Sequence, residues 1–328
     1  MIRISIIIPV FNVENYIERC LKSVVQQDYE DIELILVDDC SPDRSMVIAQ
    51  STLQNVRFPV KIITHQQNGG LSAARNSGIR AATGSYIYFL DSDDELFSAN
   101  TISALVRILN GIQADCVIGN YQQIKGKEEY ISKKYSRKQL FKGNLEIKHA
   151  FAGGDIPIMA WNKLISKDFI LENDLFFKEG LVNEDELWTF RLVLEANCIV
   201  VSGIPTYKYY VREGSIMTDK ALVRLKSAIE IYREMVQCAL CKTDSACIWE
   251  HLGRFAFRRY IEIITLQVDD SVKKSLYEKL RSFQKKSRKV FTSKESLFLF
   301  HLLFPMHIGF YIMQSEIYIY MQLKKMKP

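Results

Sequence analysis

One stretch limits the folds open to this chain more than any other: residues 84–95, Gly-Ser-Tyr-Ile-Tyr-Phe-Leu-Asp-Ser-Asp-Asp-Glu. Residues 85–90 form a continuous apolar and aromatic run, which is typical of a central parallel strand covered on both faces. Four acids follow between Asp91 and Glu95. They repel one another unless water or a cation neutralises them, and carboxylates are natural ligands of Mg²⁺ and Mn²⁺. An acidic helix start also favours such residues, but it does not explain why they follow a strand directly.

Three further apolar runs precede this stretch, at residues 4–10, 32–37 and 60–64, and helical periodicity separates them. Strands that alternate with helices predict a mostly parallel α/β sheet with right-handed crossovers. Asp38 and Asp39 follow the second run. Because the carboxyl ends of parallel strands share one edge, both acidic groups are predicted at the edge where open α/β sheets bind ligands.

The remaining elements are predicted from turn residues and periodicity. Ser41-Pro42-Asp43 has the hydroxyl, the proline and the acid of a helix start. Asn68-Gly69-Gly70 predicts a flexible turn into the helix that carries Arg75. The later predicted elements are a helix over 101–110, a strand over 114–121, a mobile Lys-rich loop over 122–138, a helix ending at 196, and short strands over 199–201 and 206–211. Helical patterns dominate from about residue 220.

Composition and the absence of common motifs weaken the case for several classes of protein. The 328 residues suffice for one large or two modest domains, and a net charge of +5 is too small to imply nucleic acid. Seven scattered cysteines predict reduced thiols in a cytoplasmic protein, and the N-terminal residues show no secretion signal. The chain lacks the phosphate-loop, dinucleotide-binding, zinc-protease and serine-hydrolase motifs.

Five motifs together resemble the family 2 glycosyltransferases, which are inverting enzymes of the GT-A fold. The resemblance covers residues 1–217 and implies a Rossmann-like, mostly parallel sheet with helices on both faces. The helical patterns beyond it predict a separate helical region over 218–328 that associates with a membrane or forms oligomers. Later residues resemble the bacterial members that build capsular, lipopolysaccharide or exopolysaccharide repeats. The five motifs are Ser5-Ile-Ile-Ile-Pro-Val-Phe-Asn12, Leu36-Val-Asp-Asp-Cys-Ser-Pro-Asp43, Asn68-Gly-Gly-Leu-Ser-Ala-Ala-Arg-Asn76, Phe89-Leu-Asp-Ser-Asp-Asp94 and Asn183-Glu-Asp185.

On the donor side, the resemblance implies a nucleotide sugar, UDP-linked, bound with Mn²⁺ or Mg²⁺. Asp93 corresponds to the direct metal ligand, and Asp91 also contacts the metal or lies nearer the ribose. Asp94 is expected to cap the following turn. Asp39 corresponds to the acceptor for uracil N3–H, and Arg75 is expected near the diphosphate. The other implied donor-site residues are Pro9, Phe11, Asn12, Asp38 and Ser92.

Simpler explanations stay open for four of these residues. Asp38 or Asp39 could serve only to cap the helix at Ser41, Pro9 could simply end a strand, and Arg75 could be a surface residue paired with a carboxylate.

On the acceptor side, the resemblance implies that Asp185 is the general base and that Glu184 positions the acceptor. A carboxylate can take the proton of an attacking hydroxyl if it lies within hydrogen-bond reach. Single displacement then inverts the anomeric centre, so an α-linked donor gives a β-linked product. An acidic helix start accounts for the same residues without any catalytic role.

Four further residues have weaker claims. Trp161 and Trp188 could stack on sugar faces, or they could pack in the core as large aromatics usually do. Lys163 and Arg212 could contact phosphates of the donor or of a lipid-linked glycan acceptor.

The C-terminal region leaves two questions open. Cys238, Cys241, Cys247 and His251 have the ligand types of a zinc site, but their spacing favours thiols in a helical core. Residues 297–313 are apolar between basic flanks. They predict either an interfacial helix on anionic lipid, at the inner face of the membrane, or a helix that packs on the catalytic domain or on a second subunit.

Three other functions compete with glycosyl transfer. A non-catalytic sugar-nucleotide scaffold would have lost the acids that this chain retains. A nucleotidyltransferase would have a glycine-rich basic loop in place of Pro9-Val-Phe-Asn12. A glycosidase also uses paired acids, but it needs no uridine-pocket motifs.

Overall fold

The computed structural model describes residues 2–211, 221–286 and 306–325. These residues form two compact units. The first contains residues 2–180 and 184–211, and the second contains 181–183, 221–286 and 306–325.

The first unit is built around a sheet, to which ten strands belong in the described part of the chain. The order along the sheet is β3-β2-β1-β4-β9-β6-β10-β5, with β7 paired to β6 and β8 to β10. The strands are β1 (Ile4–Val10), β2 (Ile32–Asp38), β3 (Val60–Thr64), β4 (Tyr86–Phe89), β5 (Glu95–Leu96), β6 (Cys116–Lys125), β7 (Glu128–Ile131), β8 (Gln139–Lys142), β9 (Lys163–Ser166) and β10 (Cys198–Tyr210).

The parallel part of the sheet is the part that the apolar runs predict. Strands β3, β2, β1 and β4 are all parallel, whereas β9 is antiparallel to both β4 and β6. Strand β1 is buried along its whole length, as continuous apolar strands between two helical layers usually are. The predicted α/β architecture is therefore confirmed.

Helices cover the two faces of β1. The helices of the first unit are α1 (Ile17–Val25), α2 (Ser45–Thr52), α3 (Gly70–Ala81), α4 (Thr101–Leu109), α5 (Asn144–Gly153), α6 (Lys167–Glu172) and α7 (Glu184–Glu195). Side chains of α1, α2 and α4 share a core with Ile6 and Ile8, while α3 approaches Ile7 on the opposite face. This approach requires Gly78, because a Cβ atom there would lie 2.3 Å from Cγ2 of Ile7.

Three predicted elements differ from the structure. Helix α2 begins at Ser45 rather than Ser41, because the Asp43 carboxylate accepts from the amides of Ser45 (3.0 Å) and Glu14 (2.8 Å) and holds the preceding turn. Residues 122–138 are not a loop throughout, since β6 continues to Lys125 and pairs with β7. The two short strands after residue 198 are one irregular strand, β10.

The second unit is helical in the ranges that the structure describes. Its helices are α8 (Ala221–Lys242), α9 (Ala246–Thr265), α10 (Asp270–Lys286) and α11 (Met306–Lys325). None of the described helices is long and apolar enough to cross a membrane. The described residues contain no metal-binding cluster, and Cys241 is exposed while Cys247 is buried, so the zinc interpretation finds no support.

Candidate active site

A buried guanidinium joins three carboxylates at the carboxyl end of β4. Nη2 of Arg75, on α3, donates to Oδ1 of Asp91 at 2.8 Å. Nη1 donates to Oε1 of Glu184 at 2.7 Å and to Oδ1 of Asp185 at 2.8 Å. Residues from the end of β4, from α3 and from the first turn of α7 thus meet at one point.

Arg75 itself is almost completely enclosed, with 1% of its side chain exposed. Its guanidinium lies 5.1 Å from the ring centre of Phe177 and 5.9 Å from that of Phe89. Burial by itself lowers the pKa of Arg75, but the carboxylates of Asp185, Asp91 and Glu184 outweigh it and raise the pKa above its ordinary value. Arg75 is therefore a permanent cation among acids, and not the surface residue that the sequence left open.

The two acids of α7 have different environments. Burial, followed by the neighbouring Asp185 carboxylate, raises the pKa of Glu184 well above its ordinary value. The Glu184 side chain is 8% exposed, whereas that of Asp185 is 19% exposed. Oδ2 of Asp185 also accepts from the Ala160 amide at 3.1 Å. Asp185 is thus both oriented and the more accessible of the pair.

The turn that follows β4 is held from two other directions. From α1, Arg19 donates to the carbonyl oxygen of Asp93, and the Cys20 thiol lies 3.6 Å from the carbonyl oxygen of Asp91. From β10, the hydroxyl of Tyr207 and the amide of Tyr210 both donate to the carboxylate of Asp94, each at 2.8 Å.

Asp94 therefore anchors β10. The prediction that its side chain caps the following turn is wrong. Burial, with the nearby carboxylates of Asp93 and Asp91, raises the pKa of Asp94 well above its ordinary value. Ser92, which lies between Asp91 and Asp93, is buried within the same turn.

The donor set at this turn fits a hard divalent cation. Asp93 is half-buried, and the Asp91 side chain is 22% exposed. Burial raises the pKa of Asp91, and Arg75 opposes that shift. Within the described residues no three acids, histidines or cysteines are grouped for a metal. One or two carboxylates completed by phosphate oxygens and water are the usual protein contribution to an Mg²⁺ site.

An exposed aromatic ring lies beside this edge of the sheet. Pro9 is buried in β1 opposite Val37, two residues before Phe11, whose side chain is 44% exposed. Asn12 has a positive φ of 53° and donates its amide to Oγ of Ser41. Oδ1 of the half-buried Asp38 accepts from the Ser41 amide at 2.9 Å, so the ends of β1 and β2 are tied together.

Asp39 has a structural task that the sequence did not reveal. Its carboxylate accepts from the amides of Gly69 (2.8 Å) and Gly70 (2.7 Å). Nδ1 of His65 lies 2.7 Å from Oδ1 of the same carboxylate, and Nε2 lies 2.8 Å from Oγ of Ser77. Gly70 has a φ of 84°, which favours glycine at this helix entry. Asp39 thus fixes the start of α3, and α3 carries Arg75.

The weaker candidates pack inside the protein. Trp188 is 1% exposed, stacks on Phe177 at 4.8 Å and donates its ring N–H to the Leu175 carbonyl. Trp161 is 6% exposed and stacks on Tyr207 at 4.3 Å. Both tryptophans are core residues, which was the second of the two predicted roles.

Lys163 and Arg212 do not gain support as phosphate ligands. Lys163 is fully buried, and its Nζ donates to the carbonyl oxygens of Pro157 and Met159. Burial lowers the pKa of Lys163 to about 8. The burial of Lys163 and its two hydrogen bonds to carbonyl oxygens therefore give the predicted phosphate contact no support. Arg212 lies outside the described residues.

Known proteins resemble the chain in sequence and in structure. The family model described as "Glycosyl transferase family 2" matches residues 5–171. Glycosyltransferase GlyA of Streptococcus pneumoniae serotype 4 is 30% identical over 277 residues, which cover 74% of this chain and only 38% of GlyA. EpsJ of Bacillus subtilis, an uncharacterized glycosyltransferase, is 32% identical over 254 residues, which cover 74% of this chain and 73% of EpsJ.

The structural comparison extends over nearly the whole chain. The crystal structure of S. aureus TarS in complex with UDP-GlcNAc superposes with a TM-score of 0.82 at 22% identity, covering 98% of this chain and 92% of the TarS chain. TarS is a poly(ribitol-phosphate) β-N-acetylglucosaminyltransferase. At this identity the likeness establishes the shared fold.

Proposed function

Because the chain belongs to glycosyl transferase family 2 and is therefore a glycosyltransferase, we propose that its donor is a UDP-sugar and its acceptor a hydroxyl group of a bacterial surface glycan. The observation that carries the proposal is the buried Arg75, which joins the donor-side Asp91 to the acid pair Glu184 and Asp185. The UDP-GlcNAc complex of TarS, which has the same fold, supports the choice of nucleotide. A scaffold that lacks catalysis is not favoured, since every acid of the motifs is present.

The donor side is formed by the ends of β1, β2 and β4. The exposed ring of Phe11 offers a surface for the base, with Pro9, Asn12 and Asp38 close to it in the chain or in the sheet. Asp39 contributes by fixing the entry of α3, and its acceptor role toward uracil remains part of the proposal.

Asp93 and Asp91 would hold Mn²⁺ or Mg²⁺ together with the diphosphate. The ion would neutralise the charge that develops on the departing diphosphate. Arg75 is poorly placed for this task, because its side chain is 1% exposed and both of its terminal nitrogens donate to carboxylates.

Asp185 is the proposed general base. Its carboxylate is accessible on one side and is oriented by Arg75 and by the Ala160 amide. An oriented carboxylate within reach of the acceptor hydroxyl can remove its proton during attack. One base and a single displacement invert the anomeric centre, so an α-linked UDP-sugar gives a β-linked product, the anomeric form named for TarS.

The wider setting is also a proposal. Residues 1–217 are assigned to catalysis, and the helices beyond them to association with a membrane or with a second copy of the chain. The enzyme works in the cytoplasm at the inner face of the membrane, where a lipid-linked glycan acceptor is accessible.

A thermal-shift panel tests the donor and the metal together. UDP-, GDP-, CMP- and dTDP-sugars are each added with Mn²⁺, with Mg²⁺ or with EDTA, since a ligand of the native state raises Tm. We expect a rise with a UDP-sugar in the presence of metal, which Asp93→Ala abolishes. Glu128→Ala, at an exposed acid of β7, is the matched control and should keep the rise. Stabilisation by a GDP-sugar alone, or by no sugar nucleotide while the protein is folded, contradicts the proposal.

A further inference from the structure

Helix α11 has an inner face that packs within the second unit. Phe310, Met313 and Ile317 are at most 2% exposed. The ring of Phe310 meets that of Tyr277 on α10 edge-on at 5.6 Å. These contacts fix which side of the helix points outward.

The outer face of α11 is apolar although it is exposed. Four large side chains on it are 43–65% exposed: Ile308, Tyr311, Tyr318 and Ile319. Ser315 and Gln322 complete the same stripe, since all six positions follow one another at helical spacing. The stripe contains no charged residue, which is unusual for a helix face in contact with water.

A groove runs beside this outer face. Its volume is about 530 Å³, and its lining is mainly apolar. Ile264 of α9 forms part of the lining, together with Ile317, Tyr318, Ile319 and Met321 of α11. Acyl chains or an apolar side chain of a partner would fit such a surface.

The charge of the chain is unevenly divided. Residues 218–328 contain 20 lysine and arginine residues and 11 aspartate and glutamate residues, which gives this region a net charge of +9, while the whole chain carries +5. Residues 1–217 are therefore acidic, with a net charge of −4.

Part of the positive charge adjoins the stripe. Nζ of Lys274 donates to the hydroxyl of Tyr311 at 2.9 Å. Elsewhere on α10, Lys279 is 51% exposed, and its Nζ lies 3.8 Å from Oε2 of Glu230 on α8. Acidic groups in these helices include Asp270 and Glu278 near Lys274, and the half-buried Glu316 of α11.

We propose that the outer face of α11 docks on an anionic lipid surface. Aliphatic side chains would enter the acyl boundary, tyrosines would lie at the headgroup level, and the basic helices would attract the anionic headgroups. The inference rests on the proposed function only for its purpose, which is to bring the enzyme to a lipid-linked acceptor. Its test needs no sugar transfer.

A second copy of the chain fits the outer face of α11 less well than a lipid surface does. The stripe extends over 15 residues, so it is about 22 Å long and about 10 Å wide. Docking through this single stripe would bury less than the roughly 800 Å² of accessible surface that each partner of a stable dimer buries. A nucleic acid would match the charge of the region but not the uncharged stripe itself.

Co-sedimentation of the full chain with vesicles tests the proposal. Vesicles of phosphatidylcholine are compared with vesicles that also contain about one-third phosphatidylglycerol. We expect binding to be at least about tenfold stronger to the anionic vesicles and to weaken as salt is raised. Equal binding to both vesicles, or no binding to either, would overturn the proposal.

Two substitutions make the test specific for α11. Ile319→Glu places a charge in the stripe and should lower vesicle binding by at least about tenfold. Leu240→Glu is the matched control, since Leu240 of α8 is 50% exposed in the same unit and Ile319 is 54% exposed. Equal loss in both variants, or no loss in Ile319→Glu, contradicts docking through α11.

Two measurements separate the other outcomes. Light scattering after size exclusion shows whether the chain dimerises, and a dimer that Ile319→Glu dissociates would assign the face to a second copy and overturn the proposal. The Tm of each variant, with and without UDP-sugar and Mn²⁺, shows that it is folded and that its donor site is intact. Absence of any donor shift would refute the proposed function and leave the vesicle result standing.

Discussion

Replacing Asp185 by asparagine should abolish sugar transfer and leave donor binding largely intact. Asp185 and Glu184 share the same nitrogen of Arg75, but only Asp185 is appreciably accessible. The Ala160 amide also orients the Asp185 carboxylate. An asparagine side chain keeps the shape and cannot accept a proton from the acceptor hydroxyl. Asp185→Asn therefore tests the base and disturbs the donor side little.

The magnitude follows from two effects. General-base catalysis contributes about 10²- to 10⁴-fold to a rate, which corresponds to about 3–5 kcal/mol in the barrier. The carboxylate also accepts from both Arg75 and Ala160, whereas an amide has a single oxygen. In Asp185→Asn, either Arg75 or the Ala160 amide would therefore face the NH₂ group of the asparagine and lose its acceptor. We expect this loss to lower the free energy of unfolding by about 1–3 kcal/mol.

UDP release provides the assay before the glycan acceptor is identified. With water as the acceptor, slow hydrolysis of the UDP-sugar is followed by a coupled UDP measurement, and donor binding is followed by thermal shift. Glu184→Gln is the matched variant: it removes the neighbouring acid and keeps an oxygen for Arg75. We expect Glu184→Gln to retain at least a tenth of the rate, as a rough bound from the range for general-base catalysis. A nearly active Asp185→Asn beside an inactive Glu184→Gln would show that Glu184 is the base.

Three further predictions concern stability and the acidic turn. Because the pKa of Glu184 is raised from its ordinary 4.5, the folded state holds a proton that the unfolded state releases. Stability should therefore fall as pH rises from 4.5 toward the raised pKa. Glu184→Gln should lack this loss, so its Tm should improve relative to the parent between about pH 5 and pH 8. Gly78→Ala should lower the free energy of unfolding by about 1–3 kcal/mol, because the added Cβ would lie 2.3 Å from Cγ2 of Ile7. Urea unfolding measures this change, and an unchanged unfolding midpoint would mean that α3 does not pack against β1 as described. Arg19→Gln should weaken metal-dependent binding of the UDP-sugar by roughly five- to tenfold, because Arg19 donates to the acidic turn. Titration calorimetry measures this affinity, and Lys22→Gln, on the exposed side of α1, is the control. Equal affinities in the two variants would show that Arg19 does not support the turn.

The parts of the fold that follow from local pattern could be predicted from sequence. Strands β1, β2 and β4 are mainly apolar, and acids lie at the end of β2 and shortly after the end of β4. Parallel pairing then places those residues at one edge, whatever the details of packing. The location of Asp38, Asp39 and Asp91 at the same edge of the sheet could therefore be predicted without any long-range contact.

The elements that were wrongly predicted lack such patterns. Strand β7 is exposed along its whole length, so its residues have no apolar alternation, and only its pairing with β6 makes it a strand. The start of α2 depends on the carboxylate of Asp43, which accepts from two amides on different segments. Neither contact is encoded by spacing alone.

Side-chain partners were the least predictable part of the site. Arg75 lies 16 residues before Asp91 but 110 residues before Asp185, and nothing in the sequence links the three. The same is true of His65, which adjoins the carboxylate of Asp39. Trp188 follows the acidic motif closely and still packs inside, because its position on α7 faces the core.

The position of Arg75 has a consequence for how the donor binds. The sequence suggested that this arginine approaches the diphosphate, but its terminal nitrogens are engaged by three carboxylates and its side chain is enclosed. A cluster of acids that one guanidinium only partly neutralises repels a diphosphate at short range. The donor should therefore bind only when a divalent cation accompanies it to Asp91 and Asp93. Titration calorimetry with UDP in EDTA should detect no binding, and tight binding of UDP without metal would show that a cation elsewhere in the site receives the phosphates.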